Sequence, residues 1–261
     1  MRVPLYQLDA FTTRRFSGNP AAVMVLDQYP DNGVLQAIAA ENNLAETAFL
    51  VPEAADYRLR WFTPSVEVSL CGHATLASAA VVMERLEPSR TEVIFRSASG
   101  PLTVIRTALG YSMDFPSRPT RPVSPPPQLE DALGALAVEV VADEFNYTVL
   151  LKDEPTVRAL DPDFAAIARL DRGGVIVTAP GEGPYDFVSR FFAPAKGIQE
   201  DPVTGSAHCA LVPFWAKRLD KTSFHAYQAS KRGGEITCRL AGDRVELDGA
   251  CVFYLEGQAE F

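Results

Sequence analysis

"SLCGHATLASAAVV", Ser69 to Val82, sets a Cys-Gly-His cluster directly against a run of small apolar residues, and its reading decides the fold. From His73 to Met83 there is hardly a polar side chain, so a helix here is apolar all round and has to be buried on every side. The strands around it alternate, as in "TEVIFRS" and "LTVIRT". The simplest arrangement wraps a curved sheet about a central helix. The chain then repeats itself. "WFTP" at Trp61 to Pro64 is matched by "FFAP" at Phe191 to Pro194, and a Gly-turn-helix follows each. Gly72 pairs with Gly205, His73 with Ser206, and Arg85-Leu86 with Arg218-Leu219, all at one offset, the mark of an internal duplication.

The rest of the first half fits that frame. "VPLYQLDAF" and "AAVMVL" read as strands joined across a Gly18-Asn19 turn. "GVLQAIAAENN" reads as a helix behind Asp31 and Asn32, with Val34, Leu35, Ile38 and Ala39 on one face. "ETAFLV" and "YRLRWF" are further strands. Between the halves "FPSRPTRPVSPPPQLEDALG" concentrates prolines and places a seam near residues 110 to 127. The expectation is an α+β chain of two domains, 1–112 and 113–261, with the last strand, near 250–261, able to return to the first. Pro213 lies inside the second central helix and removes the bond to the Cys209 carbonyl, so that helix is expected to kink or to start late.

Composition excludes several classes. The 261 residues are 47% apolar and 22% charged, which suits a globular chain with a sizeable core. The net charge of −9, from 33 acidic against 24 basic residues, argues against nucleic acid and anionic membranes as partners. No apolar run approaches the roughly 18 residues of a membrane span, and no leader pattern opens the chain, so a cytoplasmic protein with reduced thiols at Cys71, Cys209, Cys238 and Cys251 is expected.

The chemistry gathers at the two turns. A glycine before a helix directs backbone N–H groups outward at the positive end of the dipole, a ready site for a carboxylate. Gly72 and Gly205, with Cys71-His73 and Thr204-Ser206 beside them, are expected to face each other across a domain cleft as an anion clamp, unless they only cap their helices. The dipole is expected to keep His73 neutral and suited to positioning or proton relay; packing is the plainer role. Glu46 in "NLAETAFLV" shares a strand face with Ala48 and Leu50, where a carboxyl with a raised pKa serves as general base and then acid; an edge position in water is the alternative. Asp201, before Pro202 in "QEDPVTGSAH", either caps the second turn or orients a substrate group. A metal quartet of Cys71, His73, His208 and Cys209 lacks ligand spacing, a Cys71/His73 nucleophile pair lacks facing geometry, and no nucleotide fingerprint is present. Neither metal nor cofactor is expected.

Four segments, "DAFTTRRFSGNPAAV", "NNLAETAFL", "WFTPSVEVSLCGHATLASA" and "FFAPAKGIQEDPVTGSAHCAL", occur in that order and resemble the PhzF-like proteins, named after the isomerase of phenazine biosynthesis and related in fold to diaminopimelate epimerase. The resemblance spans nearly the whole chain. It implies two pseudo-symmetric domains, each a β-barrel-like sheet around a central helix, and often a homodimer. It places the proton-shuttling acid/base on Glu46, with His73, Asp201 and Ser206 as further site residues. The reaction it implies is a cofactor-free isomerisation of trans-2,3-dihydro-3-hydroxyanthranilate. Two-thiol epimerisation, the chemistry of the related epimerases, is disfavoured because Thr204 stands opposite Cys71 and a hydroxyl is too weak an acid/base. The function expected is an isomerase that moves a carbon-bound proton on a small carboxylated substrate, Glu46, His73 and Asp201 acting and Gly72, His73, Asp201, Thr204, Gly205 and Ser206 binding. The rivals are an epimerase or racemase of a small amino or hydroxy acid, and a non-catalytic small-acid binding protein.

Overall fold

The computed structural model describes residues 1–261, which divide into two compact units: Met1–Asp114 with Asp248–Phe261, and Phe115–Leu247. Both are α+β. No helix is long and apolar enough to cross a membrane.

In the first unit β1 (Arg2–Ala10) and β2 (Asn19–Val25) run antiparallel. The connection bends through three left-handed residues, Phe11, Phe16 and Gly18. At Gly18 (φ 67°) a Cβ would lie 2.2 Å from the Ala10 carbonyl oxygen, so only glycine fits. Helix α1 (Asn32–Asn42) then carries the chain back, which lets β3 (Glu46–Glu53) pair parallel to β2. Its buried stripe is narrower than the periodicity suggests: Leu35 and Ala39 are covered, while Val34 stays exposed. Next come β4 (Asp56–Phe62), antiparallel to β3, and the short β5 (Glu67–Val68).

Helix α2 (Gly72–Val81) is the apolar helix of the opening motif, and every residue after Gly72 is buried. It packs on β1, β2 and β3 and on the C-terminal strand. Its two hydroxyl side chains are tolerated because each returns to its own helix. Thr75 Oγ1 donates to the Cys71 carbonyl at 2.6 Å and Ser78 Oγ to that of Ala74 at 2.7 Å. The expected helical run through Met83 ends instead in a π turn, Val82–Leu86, whose i→i+5 bond joins the Glu87 N–H to the Val82 carbonyl. Strands β6 (Glu92–Ser97), β7 (Gly100–Thr107) and β8 (Gly110–Pro116) follow, β6 parallel to β4 and each antiparallel to the next.

The second unit begins at the proline-rich stretch with β9 (Arg121–Pro122) and α3 (Leu129–Leu133). It continues with β10 (Glu139–Ala142), β11 (Asn146–Leu150), α4 (Glu154–Ala159), α5 (Phe164–Ile167), β12 (Gly174–Pro180), β13 (Phe187–Ala193) and β14 (Ile198–Asp201). Helix α6 (Gly205–Leu219), β15 (Ser223–Gln228), β16 (Gly234–Ala241) and β17 (Arg244–Gly249) complete the series. The pairings repeat those of the first unit: β10–β11 antiparallel, β11–β12 parallel, β12–β13 and β13–β14 antiparallel, β13–β15 parallel, β15–β16 antiparallel. They match β1–β2, β2–β3, β3–β4, β4–β5, β4–β6 and β6–β7 one for one. The duplication therefore extends to strand order and direction.

Helix α6 neither starts late nor breaks at Pro213. The Cys209 carbonyl that Pro213 cannot serve accepts the Arg118 N–H instead, at 2.9 Å. That bond removes the unsatisfied acceptor that makes an interior proline costly. Further along the helix Trp215 stacks on Phe187, centroids 5.6 Å apart, and donates its indole N–H to Thr178 Oγ1 at 3.0 Å. Finally β18 (Cys251–Glu260) returns to the first unit and pairs antiparallel with β1 from Ala10↔Cys251 to Arg2↔Glu260, with a bulge between Gln7 and Leu8.

Candidate active site

Parallel pairing brings the starts of β2 and β3 to one end of the first unit's sheet, so Asn19 and Glu46, the first residues of those strands, lie at the same end. Helix α2 begins there too. His73 Nε2 sits 3.1 Å from Glu46 Oε2, and Nδ1 lies 3.1 Å from the Asn19 side-chain amide and 3.5 Å from Cys71 Sγ. All four side chains are buried: Asn19 is 0% exposed, His73 5%, and Glu46 and Cys71 7% each. Glu46 Oε2 and His73 Nε2 are in contact, yet neither has an aligned hydrogen bond, so a buried acid and a buried imidazole present unused polar atoms at one point.

This contact overturns the expectation of a neutral His73. Burial works against the charged imidazole, but the Cys71 sulfur and the Glu46 carboxylate more than offset it, and its pKa is held well above the ordinary value. The helix dipole was the only influence visible in the sequence, and an ion-pair partner at 3.1 Å outweighs it. Burial, with Glu46 adding to it and His73 opposing, pushes the Cys71 thiol up to about 11.

The second unit gathers the other expected residues at the start of α6. The Thr204 hydroxyl hydrogen-bonds to Asp201 Oδ2, so the aspartate holds the N-cap side chain. Gln228, at the end of β15, accepts the Thr204 N–H at 2.8 Å and donates to the Asp201 carbonyl at 2.7 Å. Gly205 is buried and Ser206 is exposed on the first turn. Both N-caps, Cys71 and Thr204, have extended backbone and make no side-chain cap bond, so plain side-chain capping does not account for either turn. Asn19 and Gln228 escaped the sequence reading. Asn19 showed only as a turn residue, and nothing local marks Gln228.

Of the metal quartet weighed above, His208 and Cys209 turn back to their own helix. His208 Nδ1–H donates to the Thr204 carbonyl at 2.8 Å and Cys209 Sγ to that of Gly205 at 3.6 Å. Burial depresses the His208 pKa to about 4, with the Thr204 carbonyl opposing. A depressed histidine stabilises the fold fully above its unfolded value of about 6.5 and loses that contribution as pH falls towards 4, about 3 kcal/mol in all. Unfolding free energies measured across this window should fall more steeply for the wild type than for His208→Gln; parallel curves would refute the assignment.

The two halves differ where the acid stands. β3 and β4 pair Thr47 with Phe62, and β12 and β13 pair Val175 with Phe192. Matching Trp61-Phe62 to Phe191-Phe192 makes Gly174 the counterpart of Glu46. A Cβ at Gly174 would meet the Phe191 ring at 2.7 Å, so the second unit has no room for a carboxylate there. It also carries Thr204 where the first carries Cys71.

Comparison with known proteins agrees with this architecture. The family model described as phenazine biosynthesis-like protein matches residues 8–257. An uncharacterized isomerase of Pseudomonas aeruginosa is 52% identical over 258 residues, 99% of this chain and 98% of its own. The crystal structure of a PhzF-family phenazine biosynthesis protein from Enterococcus faecalis is 46% identical and superimposes with a TM-score of 0.97 over all of both chains. A predicted epimerase from Pseudomonas aeruginosa, 21% identical, shares the fold with a TM-score of 0.76 over 99% of each chain. By sequence and by structure the chain belongs to the phenazine biosynthesis-like, PhzF family.

Proposed function

We propose that the protein is an isomerase that uses only side chains and backbone amides to move a carbon-bound proton on a small carboxylated substrate, similar to trans-2,3-dihydro-3-hydroxyanthranilate. The observation that carries this reading is the buried carboxylate of Glu46, set 3.1 Å from His73 and without a carboxylate counterpart at the matching Gly174. One acid/base removes a proton and returns it to a nearby carbon on the same face, whereas inversion at one centre needs a second group opposite. Glu46 is the proton carrier in this reading. His73, held by Asn19, positions the carboxylate. The amides at Gly72 and those at Gly205, each at the start of its central helix, are suited to bind a carboxylate, and Asp201, Thr204 and Ser206 to orient polar groups of a substrate.

The test is solvent-deuterium incorporation. The protein is incubated in D₂O with trans-2,3-dihydro-3-hydroxyanthranilate and a panel of small cyclic and amino acids, and products are read by mass spectrometry and NMR. Carbon-bound deuterium with a shifted double bond is the expected result. Label with inversion at one centre and no shift would make the protein an epimerase. Binding without label would make it a small-acid binding protein.

A further inference from the structure

We propose that Glu46, Cys71 and His73 form a binding site for one soft divalent cation of the Zn²⁺ class, and that filling it switches the acid/base off. One donor atom from each, an oxygen, a sulfur and a nitrogen, lies within 4.8 Å of the other two, and all three residues are buried. Cys, His and a carboxylate are the ligand types zinc takes, and three protein ligands with an open fourth position is a common zinc arrangement.

The geometry is close to what the ion needs. Nitrogen and oxygen ligands on a tetrahedral zinc sit about 3.3 Å apart. His73 Nε2 and Glu46 Oε2 are 3.1 Å apart, and both are buried atoms without an aligned hydrogen bond. The Cys71 sulfur lies 3.5 Å from Nδ1 of the same imidazole. Asn19 supplies the outer partner by turning its amide over: a zinc-bound imidazole carries its proton on Nδ1, and the amide, whose Nδ2 lies 3.1 Å from Nδ1, then presents its oxygen to accept it.

Charge also balances. A thiolate and a carboxylate neutralise a dication, so the buried site takes the ion without net charge, which a pocket this dry requires. On binding, the Cys71 S–H and the His73 Nε2–H each give a proton to solvent, sulfur and Nε2 each donate a lone pair, and no electron changes hands. The consequence for activity rests on the proposed role of Glu46, because a zinc-held carboxylate cannot accept a carbon-bound proton. The binding itself does not depend on that role. With Gly174 and Thr204 at the matching positions, the second unit cannot build a copy, so the stoichiometry is one ion per chain.

Titrating the purified, metal-free protein with Co²⁺ tests the site without any substrate. The expected result is a sulfur-to-cobalt charge-transfer band saturating at one equivalent and displaced by Zn²⁺. The band should vanish in Cys71→Ser and persist in Cys209→Ser and Cys238→Ser. Zn²⁺ affinity, by calorimetry, should fall at least about 100-fold in Cys71→Ser, no less than the loss of an outer partner costs. Serine is a favoured N-cap, so this variant keeps the helix start, and circular dichroism confirms the fold. No band in the wild type, or a band that survives Cys71→Ser, overturns the site. If deuterium exchange continues with the site filled, the switch is overturned. If the metal-free protein exchanges nothing while the band forms as expected, the isomerase reading falls and the site stands.

Discussion

Glu46→Gln is expected to slow solvent-deuterium exchange on the substrate by about 10²- to 10⁴-fold, the usual contribution of a positioned general acid/base. Glutamine has the same shape and still reaches His73, but its amide neither takes nor stores a proton near neutrality. The matching position in the second unit, Gly174, carries no side chain that could take over. The same substitution removes the carboxylate that helps hold His73 above its ordinary pKa, so NMR titration of the imidazole should show its value falling. Exchange at the wild-type rate in Glu46→Gln would end the mechanism. An unchanged His73 titration would separate the two residues energetically.

Arg190→Ala should lower the unfolding free energy by about 3 to 5 kcal/mol, the cost of breaking a buried ion pair from one side. Arg190, on β13, is 8% exposed. Its Nε and Nη2 donate to Glu200 on β14 at 2.7 and 3.0 Å, and Nη1 donates to the Val157 and Leu160 carbonyls at 3.2 and 2.8 Å. Truncation strands a half-buried carboxylate and two carbonyls together. Lysine cannot satisfy four acceptors spread around a planar fork, so Arg190→Lys should recover little. Glu200 immediately precedes Asp201, and loosening the β13–β14 pair should also disturb the Asp201–Thr204 contact at the start of α6. Denaturant titration measures the first effect; a loss below about 1 kcal/mol would mean the cluster is solvated and replaceable.

What was legible in the sequence was local or periodic. A helix of alanine, valine and leucine has one place to go, and Gly72 and Gly205 mark where the two central helices begin whatever surrounds them. The matched WFTP and FFAP segments disclosed the duplication that the strand pairings repeat. What stayed hidden depends on contacts between distant residues. Asn19 reaches His73 across 54 positions and Gln228 reaches Thr204 across 24, with no spacing rule to link either pair. Pro213 looked like a helix breaker because its remedy, the Arg118 N–H, comes from a stretch that reads only as a linker. The charge on His73 was misjudged because its largest favourable influences, Cys71 and Glu46, act through space.

The pairing of β18 with β1 has a consequence for how the chain is made. At ribosomal rates of about 5–20 residues per second, β1 emerges on the order of ten seconds to a minute before its partner strand exists. During that interval residues 115–247, which are contiguous, can complete their own unit. The first unit cannot. Its apolar helix α2, which packs partly on β18, waits incompletely covered until β18 is translated. Nascent chains of this protein should therefore be most prone to aggregation, and most in need of chaperones, in the half that was synthesised first.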